Sequence, residues 1–194
     1  MSELAEVPVA VLERVHSAER RVAEALGVAP DLTTDTLPLV DGYLKSVVVQ
    51  APKESRDGLL DEVGCYFGEV MRHRLDARWW VVGDDPRRWR LELRRCFLHF
   101  SPVGMAAEAL TACESLSYDG SFSTLDELHE DLDAMLKLAA PISEAEYYSL
   151  SGRADILELV ADWLVGRRAA AGQESTELTP DDYRRERERK AGTV

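Results

Sequence analysis

The sequence predicts an α+β fold in which a small antiparallel sheet, at about residues 78–100, packs with five to six helices. Apolar residues recur at helical spacing over residues 55–75, and the chain then changes to alternation of period two. Helix-starting signals return after residue 100, so the strands form one block between helices instead of alternating with them. We expect the helices to cover one face of this sheet.

The first two helices precede this block. Residues 9–26 carry a periodic apolar face, and Gly27 is suited to end that helix. Asp35 is suited to cap a second helix that ends before Pro52. Its β-branched run Val47–Val49 leaves a short strand open as the alternative.

The central helix is predicted to run from Ser55 to Leu75, with Ser55 as its cap. On a helical wheel its apolar residues fill about twice the roughly 100° stripe of a surface helix, so two layers should cover it. Gly64 and Gly68 lie on one side, and each costs up to about 1 kcal/mol against alanine. We therefore expect the following strands to approach the helix closely at these glycines.

The predicted sheet begins with residues 78–82, and residues 84–87 form a turn. In the next strand the apolar residues at odd positions 89–93 point one way, and the charged residues at even positions 88–94 point towards solvent. The alternation changes parity near Arg94. A tight hairpin there needs positive φ, which arginine disfavours, so we expect a bulge within one long strand.

The later helices have clear start signals. Ser101 followed by proline begins a short apolar helix that ends near residue 112. Capping boxes at Thr124 and Ser143 begin two more, and the last helix carries an apolar face between Ile156 and Leu164.

Apolar residues become scarce after Gly172. The sequence therefore predicts one globular domain over residues 1–171 and a flexible, charged tail over residues 172–194 that does not dock firmly. Deletion of this tail is expected to leave the melting temperature nearly unchanged.

Charge and cysteine content narrow the functional classes. The net charge of −13 disfavours nucleic acid as a partner, because phosphate contacts need clustered cations. The N-terminal residues lack the cationic region of a signal peptide, and no apolar run approaches the roughly 18 residues of a membrane span. Three cysteines without CxxC spacing argue against disulfides or a zinc ribbon. A cytoplasmic protein without a membrane partner is expected.

No catalytic constellation, metal site or cofactor site emerges from the residues. Cys65, Glu69 and His73 share one helical face, and His99 is the donor on the strand that could join them. A solvated helix face with one thiol explains the same pattern, so we predict no metal and no cofactor. These four residues mark the alternative, a pocket between the central helix and the sheet.

Two charged surfaces are candidates for partner binding. The preferred one is acidic, because its charges have no opposing charge nearby in the sequence and a basic partner would relieve their repulsion. The alternative is a row of arginines on the strand, suited to an anion, a nucleic acid or an acidic protein surface. The acidic surface comprises Asp126, Glu127, Glu130, Asp131 and Asp133, and the alternative comprises Arg88, Arg90 and Arg94.

One stretch of the chain resembles known domains. The helix segment Gly64 to Arg74, the Trp-containing hairpin and the FSPVGM step at Phe100 to Met105 look like uncharacterised bacterial α+β domains of immunity-type and accessory proteins. The resemblance implies no catalytic residue.

The function expected from the sequence is non-enzymatic. We expect a cytoplasmic protein that binds another protein with a basic surface, as an inhibitor, immunity-type protein or adaptor. The alternative is a small enzyme or ligand-binding protein that uses the pocket described above. The sequence predicts no oligomeric state.

Overall fold

A computed structural model describes residues 7–50, 56–139, 142–173 and 176–192, and it has the predicted α+β fold. The described residues form eight α-helices and one four-stranded antiparallel sheet, whose strand order follows the sequence. The helices are α1 (Val9–Leu26), α2 (Leu37–Gln50), α3 (Arg56–Leu75), α4 (Pro102–Thr111), α5 (His129–Leu138), α6 (Glu144–Tyr147), α7 (Leu150–Ala170) and α8 (Pro180–Ala191). The strands are β1 (Ala77–Trp80), β2 (Arg90–Leu93), β3 (His99–Phe100) and β4 (Phe122–Ser123).

The first two helices follow the expected pattern, except that α2 begins later than predicted. Gly27 ends α1 in the left-handed conformation, at a φ of 72°. Asp35 lies in a short 3-10 turn, and α2 begins two residues later. The backbone stays helical through residues 47–49, so the strand alternative is wrong. The expected boundary residues Pro52 and Ser55 lie outside the described residues.

Helix α3 is the centre of the core. Every residue from 63 to 71 is buried, because α1 and α4 both pack against the helix. The close approach predicted at its glycines is confirmed. The neighbour is a strand, as predicted, at Gly68, but it is helix α4 at Gly64. A Cβ at Gly64 would lie 2.5 Å from the Cα of Val103 in α4, and a Cβ at Gly68 would overlap the Trp79 ring of β1. Both glycines are therefore needed for helix and sheet to meet α3.

The bulge predicted near Arg94 is wrong. Strands β2 and β3 pair antiparallel, with Leu91 opposite Phe100 and Glu92 opposite His99, so residues 94–98 form a turn. The Leu93 amide donates to the Leu98 carbonyl at 3.0 Å, and no residue of this turn has a positive φ. A connection wider than two residues removes the need for left-handed backbone that counted against a turn.

The expectation that the tail would not dock is wrong for residues 176–192. Helix α8 lies on the sheet face opposite α3, and Tyr183 is only 1 % exposed. Its ring stacks on Phe97 at 4.3 Å, and its hydroxyl accepts the Leu98 amide at 3.1 Å. The same hydroxyl lies 2.8 Å from the Leu93 carbonyl, to which it can donate. One tyrosine thus completes the hydrogen bonding of the turn and anchors a helix that is otherwise polar.

The outer face of the sheet is covered, although the sequence predicts that it faces solvent. Glu92 is 1 % exposed and accepts hydrogen bonds from Arg90 at 2.9 Å and from Arg187 of α8 at 2.8 Å. The guanidinium carbons of these two arginines lie 4.4 and 4.7 Å from the centre of the Trp80 ring. Helices therefore pack on both faces, and α8 supplies one cation, Arg187, for the buried carboxylate of Glu92.

Candidate functional site

The structure does not bring Cys65, Glu69, His73 and His99 into one cleft. Cys65 and Glu69 are buried in α3, whereas the His73 side chain is 57 % exposed. His99 points to the outer face of the sheet, away from α3, since it pairs with Glu92 there. The described residues contain no group of three or more donors that could hold a metal ion.

Packing fills the space in which the alternative pocket was expected. Trp79 lies against Gly68 and donates its indole N–H to Glu69 at 2.6 Å, and the Phe67 and Phe100 rings are 6.5 Å apart. Burial raises the pKa of the Cys65 thiol to about 12, which keeps it protonated and poorly nucleophilic near neutral pH.

The three strand arginines do not form one free row. Arg88 is exposed at the end of the 3-10 turn Pro86–Arg88. Arg90 is bound to Glu92, and Arg94 lies 3.7 Å from Asp76. Two of the three arginines therefore pair with carboxylates of the same chain.

His99 lies in a positively charged environment beside these arginines. It lines a cavity of about 190 Å³ together with Arg88, Arg90 and three serines. Burial first, and then Arg90, lowers the pKa of His99 to about 4, so the ring is neutral near pH 7.

The acidic surface is less uniform than the sequence predicts. Asp126 lies 2.7 Å from Lys190 and 3.2 Å from Arg189 of α8, and Asp131 lies 2.7 Å from Arg167 of α7. The expectation of unopposed charge is wrong for these two, because distant parts of the chain supply the cations. The exposed members without an ion pair to any described residue are Glu127, Glu130 and Asp133.

Two adjoining cavities form the candidate site, and together they lie among β4 and helices α4, α5, α6 and α7. We call the first, of about 550 Å³, the inner pocket, and the second, of about 690 Å³, the outer groove. Phe122, Leu136 and Tyr147 line both, so the two cavities adjoin at these three side chains.

A buried ion pair forms the back of the inner pocket. Glu108 and Arg153 are 4 % and 3 % exposed, and an Arg153 guanidinium N–H donates to the Glu108 carboxylate. The guanidinium carbon lies 4.2 Å from the Tyr147 ring centre and 5.2 Å from that of Tyr148. Its Nε has no acceptor among the described residues.

The local backbone places this pair. Glu108 lies in the apolar helix α4, and its carboxylate packs against Gly120, where any Cβ would overlap it. Arg153 follows Gly152 in the first turn of α7, which Ser149 caps by accepting the Gly152 amide at 3.0 Å. A lone glutamate in an apolar helix was the signal available in the sequence, since a buried carboxylate needs a cationic partner.

Carboxylates dominate the mouths of both cavities. Glu114 and Asp133 line the inner pocket, and Glu146 and Asp155 line the outer groove. Among the described lining residues, the only lysine or arginine side chains are Lys137 in the outer groove and Arg153, which is already paired with Glu108. Partial desolvation, and then the charge of Glu108, raise the pKa of Tyr148. The site therefore favours a cation over an anion.

The outer groove also exposes apolar side chains. Ile142 and Leu159 line it and are 44 % and 43 % exposed. Clustered apolar residues with a polar rim are typical of surfaces that bind another protein or a ligand. An apolar floor with an acidic rim is the chemistry that the site offers.

Comparisons with known proteins supply no relative. A scan of family models, a search of curated proteins and a search of solved structures each returned no match to this chain. None of the described helices combines the length and the apolar character that crossing a membrane requires. The geometry and charge of the site are therefore the grounds on which a function can be assigned.

Proposed function

We propose that this is a non-enzymatic cytoplasmic protein, an inhibitor, immunity-type protein or adaptor, that binds a basic amphipathic segment of another protein in the outer groove. The observation that carries the proposal is the combination of exposed Ile142 and Leu159 with the rim carboxylates Glu146 and Asp155. Asp133 of the acidic surface lines the adjoining inner pocket, so it joins that surface to the site.

The two parts of the groove have different physical roles. Each apolar anchor that becomes fully buried contributes about 1.5–3 kcal/mol, so the floor supplies affinity. The carboxylates select a cationic partner and raise its association rate, which the net charge of −13 assists at long range. That rate should fall with salt, since the Debye length shrinks from about 10 Å at 0.1 M to about 3 Å at 1 M.

Selection from a random peptide library tests the proposal, because it requires no identified partner. The wild-type protein should enrich peptides that alternate lysine or arginine with large apolar residues. Leu159→Ser should remove this enrichment by disrupting the floor, and Glu146→Gln combined with Asp155→Asn should remove the preference for basic residues. Peptides retained by the wild type then serve as competitors when proteins are captured from native lysate.

Two matched controls separate the groove from the rest of the surface. Leu12→Ser changes a similarly exposed leucine on α1, and Glu130→Gln removes a carboxylate of α5 that lines neither cavity. Both controls should behave as the wild type does. Enrichment of acidic peptides, or enrichment that survives all the groove changes, would refute the proposal.

A further inference from the structure

We infer that the inner pocket receives the side chain of an arginine or lysine of the bound segment, while a peptide carbonyl beside that residue faces Arg153. This inference depends on the proposed function, because it assigns the pocket to the same bound segment. It names the residue type that anchors the segment and the atoms of this chain that hold it.

The pocket already shows how it holds a guanidinium. Arg153 lies against the faces of Tyr147 and Tyr148 and pairs with the Glu108 carboxylate. Cation–π contact and a carboxylate are the two elements that recognise arginine and lysine groups. Glu114 and Asp133 add two further carboxylates to the same lining, and neither has an ion pair to a described residue. One more cation therefore has charge partners and an aromatic wall available.

A buried hydrogen-bond donor without an acceptor indicates a second group on the ligand. Arg153 is more than nine-tenths buried, it lines the pocket, and its Nε lacks an acceptor in the part of the chain described. A guanidinium has five N–H donors, and a buried donor without an acceptor costs about 1–3 kcal/mol. The Nε is shielded from the cavity in this structure, so a ligand carbonyl oxygen would accept its N–H once the guanidinium turns towards the cavity. A peptide with a basic residue carries both the carbonyl and the cation.

The size and position of the pocket suit one residue of an extended ligand, its side chain together with the flanking peptide groups. Its volume of about 550 Å³ lies within the range of about 300–1,000 Å³ typical of ligand sites. Because the two cavities adjoin at Phe122, Leu136 and Tyr147, a segment bound in the outer groove lies close enough to place one residue in the inner pocket.

N-acetyl-arginine-N-methylamide is the probe, because it carries one guanidinium between two peptide groups. Binding is followed by chemical-shift titration of the full-length protein, with shifts expected at Tyr148 and His129 in the lining. The citrulline analogue has the same shape without the charge, and guanidinium chloride has the charge without the carbonyls. Both should bind more weakly than the arginine probe.

Variants of exposed residues avoid damage to the fold. Glu114→Gln and Asp133→Asn should each weaken binding of the arginine probe by a factor of about 1.4 to 5, the range for one solvent-exposed ion pair. The double variant should weaken it further, whereas Glu130→Gln should leave it unchanged. Equal binding of the citrulline analogue, or wild-type affinity in the double variant, would overturn the inference.

The result is distinguishable from failure of the proposed function. If library peptides bind through Leu159 but the arginine probe shifts no pocket residue, the inference is wrong and the groove function stands. If the probe binds as expected but no peptide depends on the groove, the pocket is confirmed as a site for cations and the proposed function is wrong.

Discussion

Replacement of Tyr183 by phenylalanine tests how far the C-terminal helix stabilises the sheet. The substitution keeps the ring that stacks on Phe97 at 4.3 Å and removes only the hydroxyl. The Leu98 amide loses one of its two acceptors and keeps the Cys96 carbonyl at 3.0 Å, and the Leu93 carbonyl loses a donor at 2.8 Å. Both groups lie in a buried turn that water reaches poorly.

The expected loss is about 1 kcal/mol, within the range of about 0.5–1.5 kcal/mol that one hydrogen bond contributes to stability. For a chain of this length each 1 kcal/mol lowers the melting temperature by about 2–4 °C, so the fall should be about 2–4 °C. Tyr183→Ala also removes the ring and should cost about 3–5 kcal/mol. Deletion of residues 172–194 further removes Arg187 from the buried Glu92, so the fall in melting temperature should exceed about 5 °C.

Urea unfolding gives the free energies, and a thermal scan gives the melting temperatures. Tyr43→Phe is the control, because the Tyr43 ring is buried and its hydroxyl has no hydrogen-bond partner in the described residues. That variant should change stability by less than about 0.5 kcal/mol. A Tyr183→Phe protein as stable as the control, together with an unchanged melting temperature after deletion, would show that α8 does not stabilise the sheet.

Four further outcomes are expected. Because burial and then Arg90 lower the pKa of His99 from 6.5 to about 4, the folded state binds fewer protons than the unfolded state between these values. Stability should fall by about 3 kcal/mol through this group as the pH drops from about 6.5 to about 4, and His99→Gln should lack that component in urea titrations. A thiol reagent at pH 8 should modify only the exposed Cys113 in the native protein, because Cys65 and Cys96 are buried and burial raises the pKa of each to about 12; rapid reaction of a second thiol would contradict this. Gly64→Ala should destabilise the protein by about 1–3 kcal/mol in spite of the better helix propensity of alanine, and a gain in stability would contradict the close packing on α4. Elemental analysis of protein purified without added metal should find well under one equivalent of zinc, and a near-stoichiometric amount would show a site that the ligand pattern does not predict.

Local patterns predicted the core of the fold well. The apolar arc of α3 indicated two covering layers, and Gly64 and Gly68 indicated close approach, because both signals act within one helix. The turn at residues 94–98 and the cover on the outer face were missed. Each depends on Tyr183, which lies far away in the sequence. No periodic pattern around Tyr183 indicates that it contacts the sheet.

The candidate site was predicted only in part for the same reason. Asp133 belongs to a visible acidic cluster, but the ion pairs of Asp126 and Asp131 involve α8 and α7. Glu108 and Arg153 are 45 residues apart, so neither residue alone indicates a shared pocket. A charged residue in an apolar helix signals that a partner exists without showing where that partner lies in the chain.

The anchoring of the β2–β3 turn by Tyr183 also sets an order of events during synthesis. Leu98 and Tyr183 are 85 residues apart in the sequence. At translation rates of about 5–20 residues per second, the ribosome needs about 4–17 s to make the intervening chain. During that interval the hairpin has no tyrosine hydroxyl for its turn, and Glu92 lacks the arginine of α8. A nascent chain therefore carries an incomplete sheet face for several seconds. A chaperone that recognises an uncovered charged residue or unpaired strand backbone has that time in which to bind it.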